Sequence, residues 1–92
     1  PPAQYGKIYP NPFRDHTTIR LSKHGSAEAR INIYNLKGQK LRTYQVKGNA
    51  KAEPEIVWDG LDDQGSECAS GLYLIQIKDG TRSFAMKALR LK

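Results

Sequence analysis

Apolar residues recur along the chain mostly at a spacing of two, and Gly, Asn, Asp or Pro interrupts them about every 8–12 residues, the rhythm of an all-β sandwich. Thr17, Ile19 and Leu21 alternate with Thr18 and Arg20, which predicts a first clear strand. Ala29, Ile31 and Ile33 alternate with Arg30, Asn32 and Tyr34, which predicts a second. The stretch Asn35-Leu36-Lys37-Gly38-Gln39 then turns the chain, with Gly38 free to take a positive φ, and Leu41 to Val46 returns as the hairpin partner. Gly48 to Pro54 reads as a loop, and Glu55 to Trp58 as a short strand ending in the only tryptophan. Asp59 to Gly65 is dense in turn formers whose side chains hydrogen-bond nearby amides. Leu72 to Lys78 is the strongest strand, with Tyr73, Ile75 and Ile77 on one face and Leu72 and Leu74 on the other. Asp79-Gly80 signals a tight hairpin, and Ser83 to Leu91 closes the sheet.

The expectation is an immunoglobulin-like β-sandwich of about seven antiparallel strands, without the Cys–Trp–Cys arrangement of antibody domains. Residues 1–8, with two leading prolines, read as a linker to an upstream cargo, and residues 9–92 as the domain. At 92 residues the chain supports one compact domain with a thin core. No apolar run approaches the roughly 18–20 residues of a membrane-spanning helix, and no signal peptide opens the sequence. Cys68 is the single cysteine, so no internal disulfide forms, and its expected place is as a small apolar residue in a strand.

Charge changes the picture by its distribution more than by its total of +6. Between Ala29 and Ala52 all the charges are basic; from Glu53 to Glu67 all are acidic; from Lys78 onward Asp79 is the one acid. Such segregation orients a domain against a charged partner, an anionic lipopolysaccharide surface or an acidic receptor. It equally describes solvated strand faces that neutralise one another once folded.

Chemistry is sparse. His16 and His24 lie outside the core periods, and no cysteine cluster or carboxylate pair accompanies them, so neither a metal nor a triad is expected. Ser70 has no nucleophile-elbow spacing, and no glycine-rich phosphate loop is present. The acidic loop Asp59 to Asp63 lacks the EF-hand spacing, and Asx turns are its expected use. Tyr34 and Tyr44 interleave with Arg and Lys, yet no nucleic-acid module accompanies them. No enzyme activity, cofactor, metal or nucleic-acid partner is expected.

Four stretches carry a resemblance. They are Tyr9-Pro10-Asn11-Pro12-Phe13 with Thr17-Thr18-Ile19; Ile31-Asn32-Ile33-Tyr34-Asn35-Leu36-Lys37-Gly38-Gln39; Trp58-Asp59-Gly60 with Asp62, Gly65 and Ser70-Gly71-Leu72-Tyr73; and the basic tail Lys87-Ala88-Leu89-Arg90-Leu91-Lys92. In this order and spacing they resemble the C-terminal sorting domains of the type IX secretion system. Cys68 stands where that family more often has valine, and Leu74 and Ile75 replace an aromatic often found there.

Physical roles fit the motifs. Pro10 and Pro12 fix an extended approach to the sandwich. Trp58 supplies a large apolar contact, worth about 3–5 kcal/mol against Ala when fully buried. Gly65 and Gly71 bracket a turn that excludes a Cβ. The alternating basic and apolar tail is the part that fold stability is not expected to explain.

The resemblance implies a non-catalytic signal that takes its cargo, a hydrolase or adhesin, through the periplasm to the outer-membrane surface or the medium. Its implied partners are the outer-membrane translocon, shuttle and sortase proteins and anionic lipopolysaccharide, with sortase cleavage before Tyr9. The alternative is an immunoglobulin-like spacer, as in flagellar hook-capping proteins, or a carbohydrate-binding accessory module of a surface enzyme, for which Tyr34 and Tyr44 are the candidate exposed aromatics.

Overall fold

The structure, a computed structural model, describes residues 6–21, 28–47, 55–79 and 82–91, and its regular elements are all strands. In chain order they are β1 (Gly6–Tyr9), β2 (Thr17–Leu21), β3 (Glu28–Tyr34), β4 (Lys40–Lys47), β5 (Glu55–Trp58), β6 (Gly71–Asp79) and β7 (Arg82–Arg90). They form two antiparallel sheets, a three-stranded one ordered β1-β2-β5 and a four-stranded one ordered β4-β3-β6-β7. The fourth strand pairs beside the third, where a constant-type immunoglobulin domain adds it to the other sheet.

Period-two alternation builds the core. Ile19 and Leu21 on β2, Ile31 and Ile33 on β3, and Ile75 and Ile77 on β6 are all essentially inaccessible and meet between the sheets. Phe84 and Met86 on β7 lie opposite Ile77 and Ile75 and pack against the same core. On the outer face of the four-stranded sheet, polar side chains cross the strands as a ladder. Thr43 donates to Asn32 (3.1 Å), Asn32 and Tyr34 donate to Gln76 (3.3 Å each), and Gln76 donates to Ser83 (3.3 Å). This ladder explains how Asn32 is buried on a face that the pattern marked as polar.

The expected turn over residues 35–39 is present. Asn35 Oδ1 accepts from the amides of Lys37 (2.9 Å) and Gln39 (3.0 Å), and Gly38 sits at φ 85°. Four expectations need correction. Gly6, Lys7 and Ile8, read as linker, run as β1 against Leu21 to Ile19, because Ile8 packs on the core while the backbone completes the edge of β2. Pro10 to Asp15 is a series of bends rather than an extended approach. Cys68 is buried but lies in the loop before β6, its amide donating to the Gly60 carbonyl at 2.8 Å. At Gly65 and Gly71 a Cβ would meet nothing, so the positive φ of 84° and 148° is what glycine serves there. The loop expected over Gly48 to Pro54, together with His24 and Gly80, lies outside the described residues.

Candidate functional site

The tail Lys87 to Leu91 lies on and just beyond the last turn of pairing between β7 and β6, where Gly71 meets Arg90 and Leu72 meets Leu89. Its alternation places Ala88 and Arg90 inward and leaves Lys87, Leu89 and Leu91 on the outer side. Lys92 lies outside the described residues.

Arg90 departs from the expectation that fold stability does not explain the tail, since it is buried in the fold. Its residue is only 3% exposed. The guanidinium donates to the carbonyls of Cys68 (2.8 Å), Gly60 (3.0 Å) and Arg14 (2.9 Å), and to Glu67 Oε1 at 3.1 Å. A permanently charged, planar five-donor group satisfies several carbonyls that converge from different loops, which no apolar residue does. Gly60 is what admits it: a Cβ there would fall within 2.6 Å of Arg90 Cζ, and Gly60 itself holds φ 79°. The Trp58-Asp59-Gly60 motif and the tail are therefore one structural unit.

The first motif belongs to the same unit. Asn11 Nδ2 donates to the Lys87 carbonyl and Asn11 Oδ1 accepts from the Leu89 amide, both at 2.9 Å. Phe13 continues this pairing, its amide donating to Leu89 (2.9 Å) and its carbonyl accepting from Leu91 (2.8 Å). The carboxamide thus acts as one more peptide group on the outer edge of β7 and covers the edge there. Beneath it, Phe13, Trp58 and Tyr73 form an aromatic cluster. Phe13 and Trp58 have ring centroids 5.4 Å apart, and Tyr73 meets Trp58 edge-on at 5.3 Å. Trp58, fully inaccessible, donates its indole N–H to the Leu61 carbonyl (2.9 Å), and the Tyr73 hydroxyl donates to Ala69 four residues upstream, as in a tyrosine corner.

The acidic stretch is neutralised from other elements. Arg42 on β4 meets Asp59 at 3.2 Å and Asp63 at 3.7 Å, donates to the Leu61 carbonyl, and stacks 4.9 Å from the Tyr44 ring. Arg20 pairs with Glu55 at 2.7 Å. That hydrogen bond, with a second from the Tyr9 hydroxyl, holds the Glu55 carboxyl below its ordinary pKa. Asp59 Oδ1 accepts from Leu61, and Asp62 Oδ1 accepts from Gln64 and Ser66, which is the Asx-turn use expected of this loop. Among the described residues no group of His, Cys, Asp and Glu is arranged to hold a metal ion. Burial pushes the Cys68 thiol above its ordinary pKa, Asp62 adds to this, and Arg90 opposes it.

The remaining motif residues fall at the same end of the molecule. Gln39 accepts from Asn35 at 2.7 Å, and Ser70 and Gly71 open β6 beside that turn. Tyr34 and Tyr44 face opposite sides of the four-stranded sheet, Tyr44 stacking on Arg42 inside, so they form no shared aromatic platform for a sugar.

The fold is similar to parts of two proteins of Porphyromonas gingivalis. One is dimeric latent PorU, with 22% identity, 94% of this chain and 9% of that one covered, and a TM-score of 0.74. The other is PorZ, described as an essential bacterial surface component of the type IX secretion system, with 24% identity, 95% and 11% coverage, and a TM-score of 0.69. This chain thus spans about a tenth of each of these proteins. No curated protein matches the sequence. The family described as secretion system C-terminal sorting domain matches residues 7–89, and the chain belongs to it. Such a domain is a type IX sorting signal, which marks a protein for export across the outer membrane to the cell surface or medium. The family is generally non-catalytic and works with the type IX machinery.

Proposed function

We propose that the outward side chains of the tail, Lys87, Leu89 and Leu91, are what the outer-membrane translocon and its shuttle read, while Arg90 holds the tail in a fixed conformation for them. The supporting observation is the double anchoring of β7, by Asn11 and Phe13 along its edge and by the Arg90 guanidinium beneath. A prearranged strand presents its side chains without the ordering cost a free peptide would carry on binding. The cargo, a hydrolase or adhesin, lies upstream, and the domain itself carries no catalysis. Within the linker before Tyr9, sortase cleavage falls ahead of Gly6, since Gly6 to Tyr9 are paired in a sheet and paired backbone is a poor protease substrate. Attachment of the released cargo to anionic lipopolysaccharide completes the reading.

A reporter carrying residues 1–92 behind a secretory signal, in a host with the type IX system, tests this. Surface display is expected; retention in the periplasm with the domain folded would contradict it. Deleting Lys87 to Lys92 is a poor control, because the deletion removes Arg90 and exposes the carbonyls it satisfies. Replacing Lys87 and Leu91, both exposed, leaves the anchoring intact.

A further inference from the structure

Five leucines gather at the end of the four-stranded sheet where the tail lies. Leu72 on β6 pairs across from Leu89 on β7, Leu74 is the next outward residue on β6, and Leu91 follows Leu89 on the same side. Leu36, 66% exposed, stands at the tip of the turn between β3 and β4 and shares with Leu72 a shallow groove of about 250 Å3. Asn35, Gln39 and Ser70 give that groove a polar rim. Leu91 is 41% exposed, so apolar surface is concentrated here while the polar ladder occupies the middle of the sheet. Folding does not require Leu36 to be apolar, since the turn is closed by Asn35 and Gly38.

Lys37 and Lys87 flank the leucines, and Arg30 and Lys78 continue the positive field along the same face. Among the described side chains, these strands place no carboxylate on it. The nearest acids, Asp62 and Asp63, lie beyond the edge of β4, where Arg42 engages Asp63.

We infer that this leucine patch, made jointly by the turn at Leu36, the start of β6 and the tail, is one docking surface for an acidic protein partner with an apolar centre. The inference deepens the reading of the tail proposed above and rests on it. Its added content is that recognition is composite: the tail is read together with Leu36 and Leu72. Charge complementarity selects the partner. A second copy of this chain would bring Lys37 and Lys87 face to face with their equivalents across a two-fold axis. A membrane surface has no use for a polar-rimmed groove, and the four basic residues of this face are strung along it from Lys37 and Lys87 to Arg30 and Lys78, at the lower limit of the about 4–8 that cluster at a lipid-binding site.

The test uses the secreted precursor that carries this domain, with surface display measured for Leu36→Glu and for Lys37→Glu. Labelling of Cys68 by a thiol reagent, mapped by mass spectrometry, reports whether the domain stays closed, since that thiol is buried. Display is expected to fall at least about tenfold in both variants with Cys68 protected, and to stay at the parent level in Lys7→Glu, exposed on β1 of the other sheet. If Leu36→Glu opens the domain, Lys37→Glu, at an exposed position, decides. Parental display of the folded variants, alongside loss on replacing Lys87 and Leu91, overturns the composite surface and leaves the tail reading standing. Undiminished display of a precursor lacking the whole domain would sink both. Sedimentation of the precursor with vesicles of anionic phospholipid or lipopolysaccharide, abolished by Lys37→Glu, would overturn the assignment to a protein partner.

Discussion

Replacing Arg90 by methionine keeps most of the aliphatic stem and removes the guanidinium. The structure then leaves the carbonyls of Cys68 and Arg14 without the donor they now have, while Gly60 keeps its bond from the Cys68 amide. A hydrogen bond to a charged group is worth about 1.5–3 kcal/mol, so losing these two costs about 3–6 kcal/mol. Glu67 adds little, because its side chain is already about half exposed to water. A chain of this length has roughly 5–14 kcal/mol of stability, so about 3–6 is a large share of it. At about 4–8 °C per kcal/mol for a domain of this size, the melting temperature should drop by at least about 12 °C. Thermal denaturation followed by Trp58 fluorescence measures this, because Trp58 is fully buried beside the same loop. Lys87→Met, also in the tail but exposed, should change stability by no more than about 0.5 kcal/mol. An Arg90→Met domain melting within about 3 °C of the parent would refute the argument, since that is less than one unmatched carbonyl should cost.

Other perturbations follow from the same contacts. Gly60→Ala should destabilise far more than Gly65→Ala in the same melting assay: both meet a positive φ, worth about 1–2 kcal/mol, but only the first drives a Cβ into Arg90. Asn11→Ala removes two hydrogen bonds to the edge of β7 and should lower stability by about 1–2 kcal/mol, with faster amide exchange at Leu89 as the local readout. Tyr44→Phe should be at least as stable as the parent, because the buried Tyr44 hydroxyl has no hydrogen-bond partner among the described residues. Stability should also decline in alkali. Burial raises the Cys68 thiol in the folded state, so its contribution is complete below the unfolded thiol pKa. It is lost as pH rises through the folded value, because over that window the unfolded chain binds fewer protons. Cys68→Ala should flatten this slope in melting curves recorded from neutral pH upward.

Much of the fold is legible in the chain because a sandwich core needs only in-phase apolar residues. Thr17-Ile19-Leu21, Ala29-Ile31-Ile33 and Tyr73-Ile75-Ile77 declare both their strands and their inward faces. Gly38 and Asn35 declare a turn because few other residues meet its φ and its hydrogen bonds. The site is harder to read. Arg90 is in phase with Phe84, Met86 and Ala88, so the alternation that marks β7 already places it inside, but its charge argues the opposite until the carbonyls it satisfies are known. Those carbonyls belong to Gly60 and Cys68 in the connection from β5 to β6 and to Arg14 in that from β1 to β2, and nothing local reveals that the two loops converge on one point. Asn11 is similar: an asparagine between two prolines reads as a turn former, whereas its partners lie 76 and 78 residues away. Arg42 shares the phase of Tyr44 and Val46, and its acidic partners become visible only once the loop from Asp59 is laid against the edge of β4. The separate basic and acidic blocks of the sequence are partly matched in this way, by contacts that periodicity does not encode.

The central claim is that the folded tail acts as a sorting signal through its outward side chains, with its inward ones serving the fold. Surface display of the precursor carrying Lys87→Ala and Leu91→Ser together, with melting of the domain recorded in parallel, tests this most directly. The account predicts a precursor stranded in the periplasm with a melting temperature close to the parent's. Undiminished surface display from that folded variant would contradict it.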